Sequence, residues 1–292
     1  MGGQIARRLA KNNFNVLGWN RSPEHRQQAE TGGVKTFAEV KDLVESMTES
    51  PRVFWIMLPH EIVYDFIFGE QGLKLYLKAG DIVIDGGNSF YKDSIKHANL
   101  LRARNIHFFD CGTSGGIWGL ENGFSLMVGG PKEQWSKIEP IIKTLSSGDN
   151  YGLVGENGAG HFVKMVHNGI EYGMMEAIGE GYGVLQASDF KLDLKQVTKI
   201  YQQGTVVRSW LIDLMKDIFE KEDIDATKGE ILASGEGEWT VNTAKELGVD
   251  VCVIEDALNV RKESSQAQNQ QKFSNKIVAL LRKQFGGHEV KK

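Results

Sequence analysis

Short apolar runs separated by helix-length segments dominate the first half of the chain, and a helical period replaces them in the second. Val53–Leu58, Asp81–Asp85 and His107–Cys111 are near-continuous apolar runs, as expected of parallel strands buried on both faces. Further strands are expected at Asn15–Trp19, Val34–Thr36, Ser125–Val128 and Tyr151–Val154. Helix patterns lie between them. One starts at Ile5 and Leu9, a second follows Asn20-Arg21-Ser22 with Pro23 in its first turn, and others run from about Phe37 to Ser46 and from about Lys132 to Ser146. Gly86-Gly87-Asn88-Ser89 and Gly112-Thr113-Ser114-Gly115-Gly116 close two of the strands. This alternation predicts a doubly wound α/β sheet, whose ligands bind at the carboxyl ends of the strands.

From Gly158 onward the period is helical throughout. A long helix is expected to about Ala187, followed by helices near Asp193–Gln203, Arg208–Phe219, Thr240–Leu247, Val251–Glu263 and Phe273–Phe285, with the polar Ser264–Gln271 stretch as a connector. The expected boundary lies near Glu156, giving a cofactor-binding domain over 1–156 and an all-α domain over 157–292.

The long helix carries its polar residues in an unusual place. Lys164, His167, Asn168, Glu171 and Tyr172 fall at offsets of three, four, seven and eight from the lysine, a single stripe on a 3.6-residue helix. Phe162, Val166 and Ile170 lie opposite, with Val163, Met165, Met174 and Met175 filling much of the rest, so the stripe reads as set in apolar surroundings. These groups can exchange protons and grip a polyhydroxylated ligand. A polar stripe alone is more often a solvated face. The glycine-rich loops before it and the basic, His-bearing tail after it favour an active-site wall.

Composition excludes several other classes. The formal charge is −4, with a quarter of the residues charged, so no basic excess calls for nucleic acid or an anionic membrane. No apolar run approaches the length of a membrane span, and no CxxC or HExxH spacing suggests a metal. Cys111 and Cys252 have no paired spacing and read as buried small hydrophobes of a reducing, cytoplasmic compartment. The 34 glycines are clustered, which points to loops that a ligand approaches closely.

A dinucleotide-binding unit opens strand–GxGxxG–helix, with the pyrophosphate at the helix N-terminus. Here Met1-Gly2 stands where the end of that turn would be. Where the second strand ends, an acidic residue normally takes the ribose 2′-hydroxyl of NAD; this chain has Asn20-Arg21-Ser22, which suits the 2′-phosphate of NADP. NADP is therefore the expected cofactor, with NAD possible.

NRSP at Asn20–Pro23, DGGNS at Asp85–Ser89, SGG at Ser114–Gly116, GHFVKMVHNGIEYG at Gly160–Gly173 and RKQFGGH at Arg282–His288 together resemble 6-phosphogluconate dehydrogenase. The resemblance covers essentially the whole chain, is most specific in GHFVKMVHNGIEYG, and is to the shorter bacterial form. It implies a Rossmann-type domain followed by a helical domain, and a decarboxylating oxidation of 6-phosphogluconate to ribulose 5-phosphate in the pentose phosphate pathway. It assigns Lys164 as base and then acid, and Glu171 as the acid that protonates C1. Such a lysine needs its pKa lowered by roughly 3 units, about 4 kcal/mol, to act as a base near neutrality.

The resemblance further implies substrate binding by Asn88, Ser114, Gly115, Gly116, His167 and Asn168. It gives the phosphate to Tyr172 and Arg261, with Arg282 and His288 reaching from a partner subunit's tail, hence at least a homodimer. Cofactor contacts fall on Met1, Gly2, Asn20, Arg21, Ser22, Leu58, Pro59 and Asn88. The chain departs from the family in three places. Ser234 stands where longer relatives have a phosphate-binding lysine. Ile117-Trp118 replace acidic residues after SGG, giving a drier nicotinamide edge. The first strand and its glycines are absent from the start. An interior gap in the sheet would cost more than the ~5–15 kcal/mol a domain has in hand, so the natural protein is expected to begin about ten residues earlier. Two other readings stay open: another β-hydroxyacid dehydrogenase or reductase, and an inactive, truncated cofactor-binding remnant.

Overall fold

A computed structural model of the protein describes residues 1–232 and 235–291. The chain divides into two compact units, Met1–Lys164 and Met165–Lys292.

In the first unit strands and helices alternate as α1 (Gly2–Lys11), β1 (Leu17–Trp19), α2 (Pro23–Glu30), β2 (Lys35–Phe37), α3 (Val40–Glu45), β3 (Val53–Ile56), α4 (His60–Phe68), β4 (Ile82–Asp85), α5 (Tyr91–Arg102), β5 (His107–Ser114), α6 (Gly119–Asn122), β6 (Phe124–Gly129), α7 (Trp135–Leu145) and β7 (Ser146–Gly155). The strands form two sheets. β1 and β2 make a parallel pair, and the other five run in the order β3-β4-β5-β6-β7. All neighbours are parallel except β5 and β6, so the chain reverses direction after Ser114 and the sheet is mixed.

The apolar runs explain the layering. Successive side chains of a strand face opposite ways. Ile82, Ile84, Phe109 and Cys111 therefore enter one core with Ile5 and Leu9 of α1 and Ile138, Ile142 and Leu145 of α7. Val83 and Phe108 enter the other, with Phe54 and Ile56 of β3, Val63 and Ile67 of α4 and Leu101 of α5. Each such side chain contributes about 1.5–3 kcal/mol by burial. At the end of the sheet away from the glycine loops, Arg52 donates to both oxygens of Asp81, an ion pair buried just before β3 and β4.

The second unit is helical. After α8 (Ala159–Ala187), which enters it from the first unit, come α9 (Leu194–Gln202), α10 (Trp210–Lys221), α11 (Glu236–Leu247), α12 (Cys252–Glu263) and α13 (Phe273–Gly286). Asp193 and Ser209 cap α9 and α10 by accepting from first-turn amides, and Gly248 and Gly287 end α11 and α13 in the left-handed region. Its main core joins Met175 and Tyr182 of α8 to Leu211, Ile212, Leu214, Met215 and Ile218 of α10 and Ile277–Leu281 of α13. The sequence places the boundary near Glu156; contacts divide it at Lys164–Met165, because the first turns of α8 belong to the sheet.

The two cysteines behave differently. Cys111 lies in the core, where burial pushes its thiol up to about 12, so it stays protonated and inert. Cys252 was expected to be buried but is exposed, as the first residue of α12. No helix among the described residues is long and apolar enough to cross a membrane.

Candidate active site

In the first unit the candidate residues cluster after strand ends. β5 leads into Ser114, then Gly115 at φ +145° and Gly116 at φ +54°, conformations open to glycine but costly to other residues. Asp110 within β5 accepts from Gly158 N (2.6 Å) and His161 N (2.9 Å), holding the start of α8 against the strand. An added Cβ on Gly112 would fall 2.4 Å from Lys164 Cβ, so the lysine stem lies directly on β5 two residues before Ser114. After β4, the buried Asp85 accepts from Gly87 N (3.1 Å) and Ser89 Oγ (2.7 Å), which leaves Asn88 exposed at the loop apex.

The first turn of α1 borders the same region. Gly2 packs on Met57, just before Leu58 and Pro59, and Gln4 donates to Ile117 O (3.1 Å) in the loop after β5. Ile117 and Trp118 are both partly exposed. After β1, Asn20 Oδ1 accepts from Ser22 N (2.8 Å), an Asx turn that leaves Arg21 exposed. Arg26 donates to the carbonyls of Asn20 (2.7 Å) and Arg21 (3.1 Å) from below. A helix N-terminus packed tightly on the residue after β3, together with a basic turn after β1, fits an anionic dinucleotide.

In the second unit the helical stripe is linked. His167 Nδ1 lies 3.0 Å from Asn168 Oδ1 and 3.8 Å from Glu171 Oε2. These side chains are half-buried, whereas Val163, Ile170 and Met174 on the other faces are exposed; the apolar surroundings expected of the stripe are confined to its Tyr172 end. Tyr172 is buried among Val241, Ala257 and Leu258, its ring against Gly237 of α11. Arg261, a turn beyond Ala257 and Leu258 on α12, stacks its guanidinium 3.2 Å from the centre of that ring.

Arg261 and Arg282 are 3% and 6% exposed, so their charges are almost wholly withdrawn from water. Among the described residues, Arg261 Nε and Nη2 and the Tyr172 hydroxyl find no hydrogen-bond partner. Burial pulls the Arg261 guanidinium down to about 10, with Tyr172 opposing the shift and Arg282 adding to it. Arg282 is lowered by burial. His288 is lowered by burial and then by the Arg282 charge. Burial, then Glu180, pushes Glu176 up to about 7, against the pull of Arg261. Two buried, mutually repelling guanidiniums, with donors on Arg261 unmet among the described residues, could take an anion with several acceptor oxygens.

Sequence reasoning passed over Asp85, Asp110, Gly112 and Glu176. Glu176 could have been found, since it continues the Tyr172 stripe by one turn; the others act across strands and leave no periodic signal. Ser234 lies outside the described residues.

Strand-end loops suited to a dinucleotide, followed by a helical unit with proton-transfer groups and an anion receptor, define a nicotinamide-dependent oxidoreductase. Comparison with known proteins gives the family. Residues 1–155 match the NAD binding domain of 6-phosphogluconate dehydrogenase, and residues 160–291 match its C-terminal domain. The chain is 36% identical to the NAD(+)-dependent, decarboxylating 6-phosphogluconate dehydrogenase of Haloferax volcanii, over 99% of this chain and 95% of that one. It is 34% identical to the decarboxylating enzyme of Shigella boydii, over 99% of this chain and 68% of the other. The solved Plasmodium falciparum enzyme superposes with a TM-score of 0.82 at 28% identity, covering 90% of this chain and 60% of that one. A 3-hydroxyisobutyrate dehydrogenase of Mycobacterium tuberculosis, at 19% identity and TM-score 0.74, shares the fold alone. The chain belongs to the 6-phosphogluconate dehydrogenase family and is an NAD(P)-dependent oxidoreductase.

Proposed function

We propose that the protein oxidises and decarboxylates 6-phosphogluconate to ribulose 5-phosphate and CO2, with NADP preferred over NAD. The observation that carries this reading is the buried pair Arg261 and Arg282 at the end of the Lys164–Tyr172 stripe. An unphosphorylated hydroxy acid such as 3-hydroxyisobutyrate has no second anionic group to offset those charges. The dinucleotide would be held by the first turn of α1 at Met1 and Gly2, by Leu58, Pro59 and Asn88, and by Asn20, Arg21 and Ser22 at its 2′-phosphate. When bound, its nicotinamide accepts the hydride from C3.

Lys164 takes the C3 hydroxyl proton as that hydride departs. The resulting ammonium then gives its proton to the 3-keto oxygen as the C1–C2 bond breaks, so the electron pair is received as an enol and CO2 leaves. Glu171 protonates the carbon that lost CO2, and Lys164 recovers the enol proton. Each positioned proton transfer is worth roughly 10²–10⁴ in rate. His167 and Asn168 orient substrate hydroxyls, and Asn88 and Ser114–Gly116 hold the departing carboxylate end. Tyr172, Arg261, Arg282 and His288 take the phosphate. A homodimer is expected with this assignment.

The test is initial rates with 6-phosphogluconate and each cofactor, read at the reduced-nicotinamide band with CO2 release measured in parallel. Turnover with CO2 is expected. Reduction with gluconate or 3-hydroxyisobutyrate in its place, or with no substrate at all, would overturn the assignment.

A further inference from the structure

The start of α8 meets the sheet through glycine. A Cβ on Gly160 would fall 2.5 Å from both Asp110 O and Met127 O, one on Gly129 would fall 2.7 Å from Gly160 N, and one on Gly112 would collide with the Lys164 stem. Such contacts let backbones approach closely but leave a smooth surface. They do not decide how far the helix has slid along β5 or how it is rolled about its own axis. Those two settings place the Lys164 side chain, and only directional contacts can hold them.

Two sets of contacts do so. Asp110 uses one carboxylate oxygen for Gly158 N and the other for His161 N, which pins the end of the helix (2.6 and 2.9 Å). The second set comes from α5, which begins at Tyr91, just after the turn that carries Asn88. Ser94 Oγ lies 2.7 Å from His161 Nδ1, and the two residues are 0% and 2% exposed. Tyr91 meets the Phe162 ring edge-on, with centroids 5.2 Å apart, and a Cβ on Gly158 would be 2.7 Å from Ile95. The first turn of α5 and the first turn of α8 are thus clamped together. Lys164 follows His161 by three residues, on the same side of the helix, so the place of the ring sets the place of the lysine stem.

Stability does not account for a histidine here. Among the described residues its buried Nε2 finds no hydrogen-bond partner, and neither does the buried Nδ1 of His97, one turn beyond Ser94 on α5. An unmet buried nitrogen is a cost that a leucine in the same place would not carry.

We propose that His161 is a positioning residue for the reaction: held by Ser94 at Nδ1 and by Asp110 at its backbone amide, it sets where Lys164 sits on β5 and ties that place to the turn carrying Asn88. The role of Lys164 as base is taken from the functional reading above. The His161 ring is buried against α5, so it acts through the lysine rather than on substrate.

The test compares two amides at position 161. Asparagine carries its amide where Nδ1 stands, within reach of Ser94; glutamine, closer to histidine in volume, carries its amide where Nε2 stands. Positioning through Ser94 predicts a kcat for 6-phosphogluconate within about fivefold of wild type in His161→Asn, and lower by roughly 10²-fold in His161→Gln, the loss expected of a misplacement of about 1 Å. The KM for NADP should stay within about threefold of wild type in both, since the cofactor turns keep their own hydrogen bonds. Filling of space alone predicts the reverse order of kcat, and either that order or equal values would overturn the proposal.

A double variant separates positioning from folding. Ser94→Ala with His161→Leu removes both partners together, so the melting temperature should hold or rise while kcat falls roughly 10²-fold. With substrate deuterated at C3, the isotope effect on kcat should grow as the chemical step slows. A lower melting temperature with kcat near wild type, or a lower kcat with an unchanged isotope effect, would refute the positioning role. Absence of 6-phosphogluconate turnover in the unmodified protein would instead refute the functional reading, and this proposal with it; normal turnover with insensitive variants refutes the proposal alone.

Discussion

The two units hold their candidate binding groups in opposite ways. In the first, Asn20, Arg21 and Asn88 are exposed on turns after strands, and the buried carboxylate of Asp85 braces the Asn88 turn from behind. In the second, Tyr172, Arg261 and Arg282 are themselves buried, and among the described residues the Tyr172 hydroxyl and two nitrogens of Arg261 find no hydrogen-bond partner. Exposed turn residues can change with little cost to folding. A guanidinium withdrawn from water costs several kcal/mol unless an anion arrives. Binding and stability are therefore separable in the first unit and opposed in the second.

The largest effect should come where the helix leaves the sheet. Lys164→Met is expected to lower turnover by roughly 10²–10⁴-fold or more, with cofactor affinity, measured by fluorescence titration, close to wild type. Retained turnover would remove the proposed base. Next in size is Arg261→Met. Losing a charge-assisted hydrogen bond of about 1.5–3 kcal/mol should raise the KM for 6-phosphogluconate roughly 10- to 100-fold. The melting temperature should hold or rise, because a buried charge is replaced by a side chain of similar volume. A lower melting temperature with unchanged KM would make Arg261 structural and break the contrast.

Arg21→Glu tests the other side of it. The turn is fixed by Asn20 and by Arg26, which donates to the Asn20 and Arg21 carbonyls, so the backbone should keep its shape. The NADP-to-NAD rate ratio is expected to fall about tenfold, with stability unchanged within roughly 0.5 kcal/mol. An unchanged ratio would mean that Arg21 does not read the 2′-phosphate.

How much of this was legible in sequence follows from what leaves a period. The buried strands β3, β4 and β5 announced themselves as apolar runs, and α8 by its 3.6-residue stripe, because both cores lie within side-chain reach of a regular element. The reversal at β6 was not legible. Its residues Phe124–Gly129 read as a strand in either direction, and only pairing with β5 decides. The support of Lys164 was also hidden, since Gly112 and Asp110 meet α8 across a long stretch of chain. Cys252 was misplaced because an apolar neighbourhood in sequence does not say which face of α12 its first residue takes.

The smallest effect sharpens the opposition inside the second unit. Glu176 has a folded pKa of about 7 against an ordinary value near 4.5, chiefly because it is buried. A carboxyl raised in this way contributes stability fully below about pH 4.5 and loses it as the pH climbs through 7. Glu176→Gln keeps the shape and removes the titration. Thermal melts at pH 5 and pH 8 should then show little difference between variant and wild type at the lower pH, and a variant more stable by a few degrees at the higher. If the ionised carboxylate were instead needed to offset Arg261, the variant would be the less stable one at pH 8. The buried arginine would then have its counter-charge inside the protein, with less need of an anion from outside.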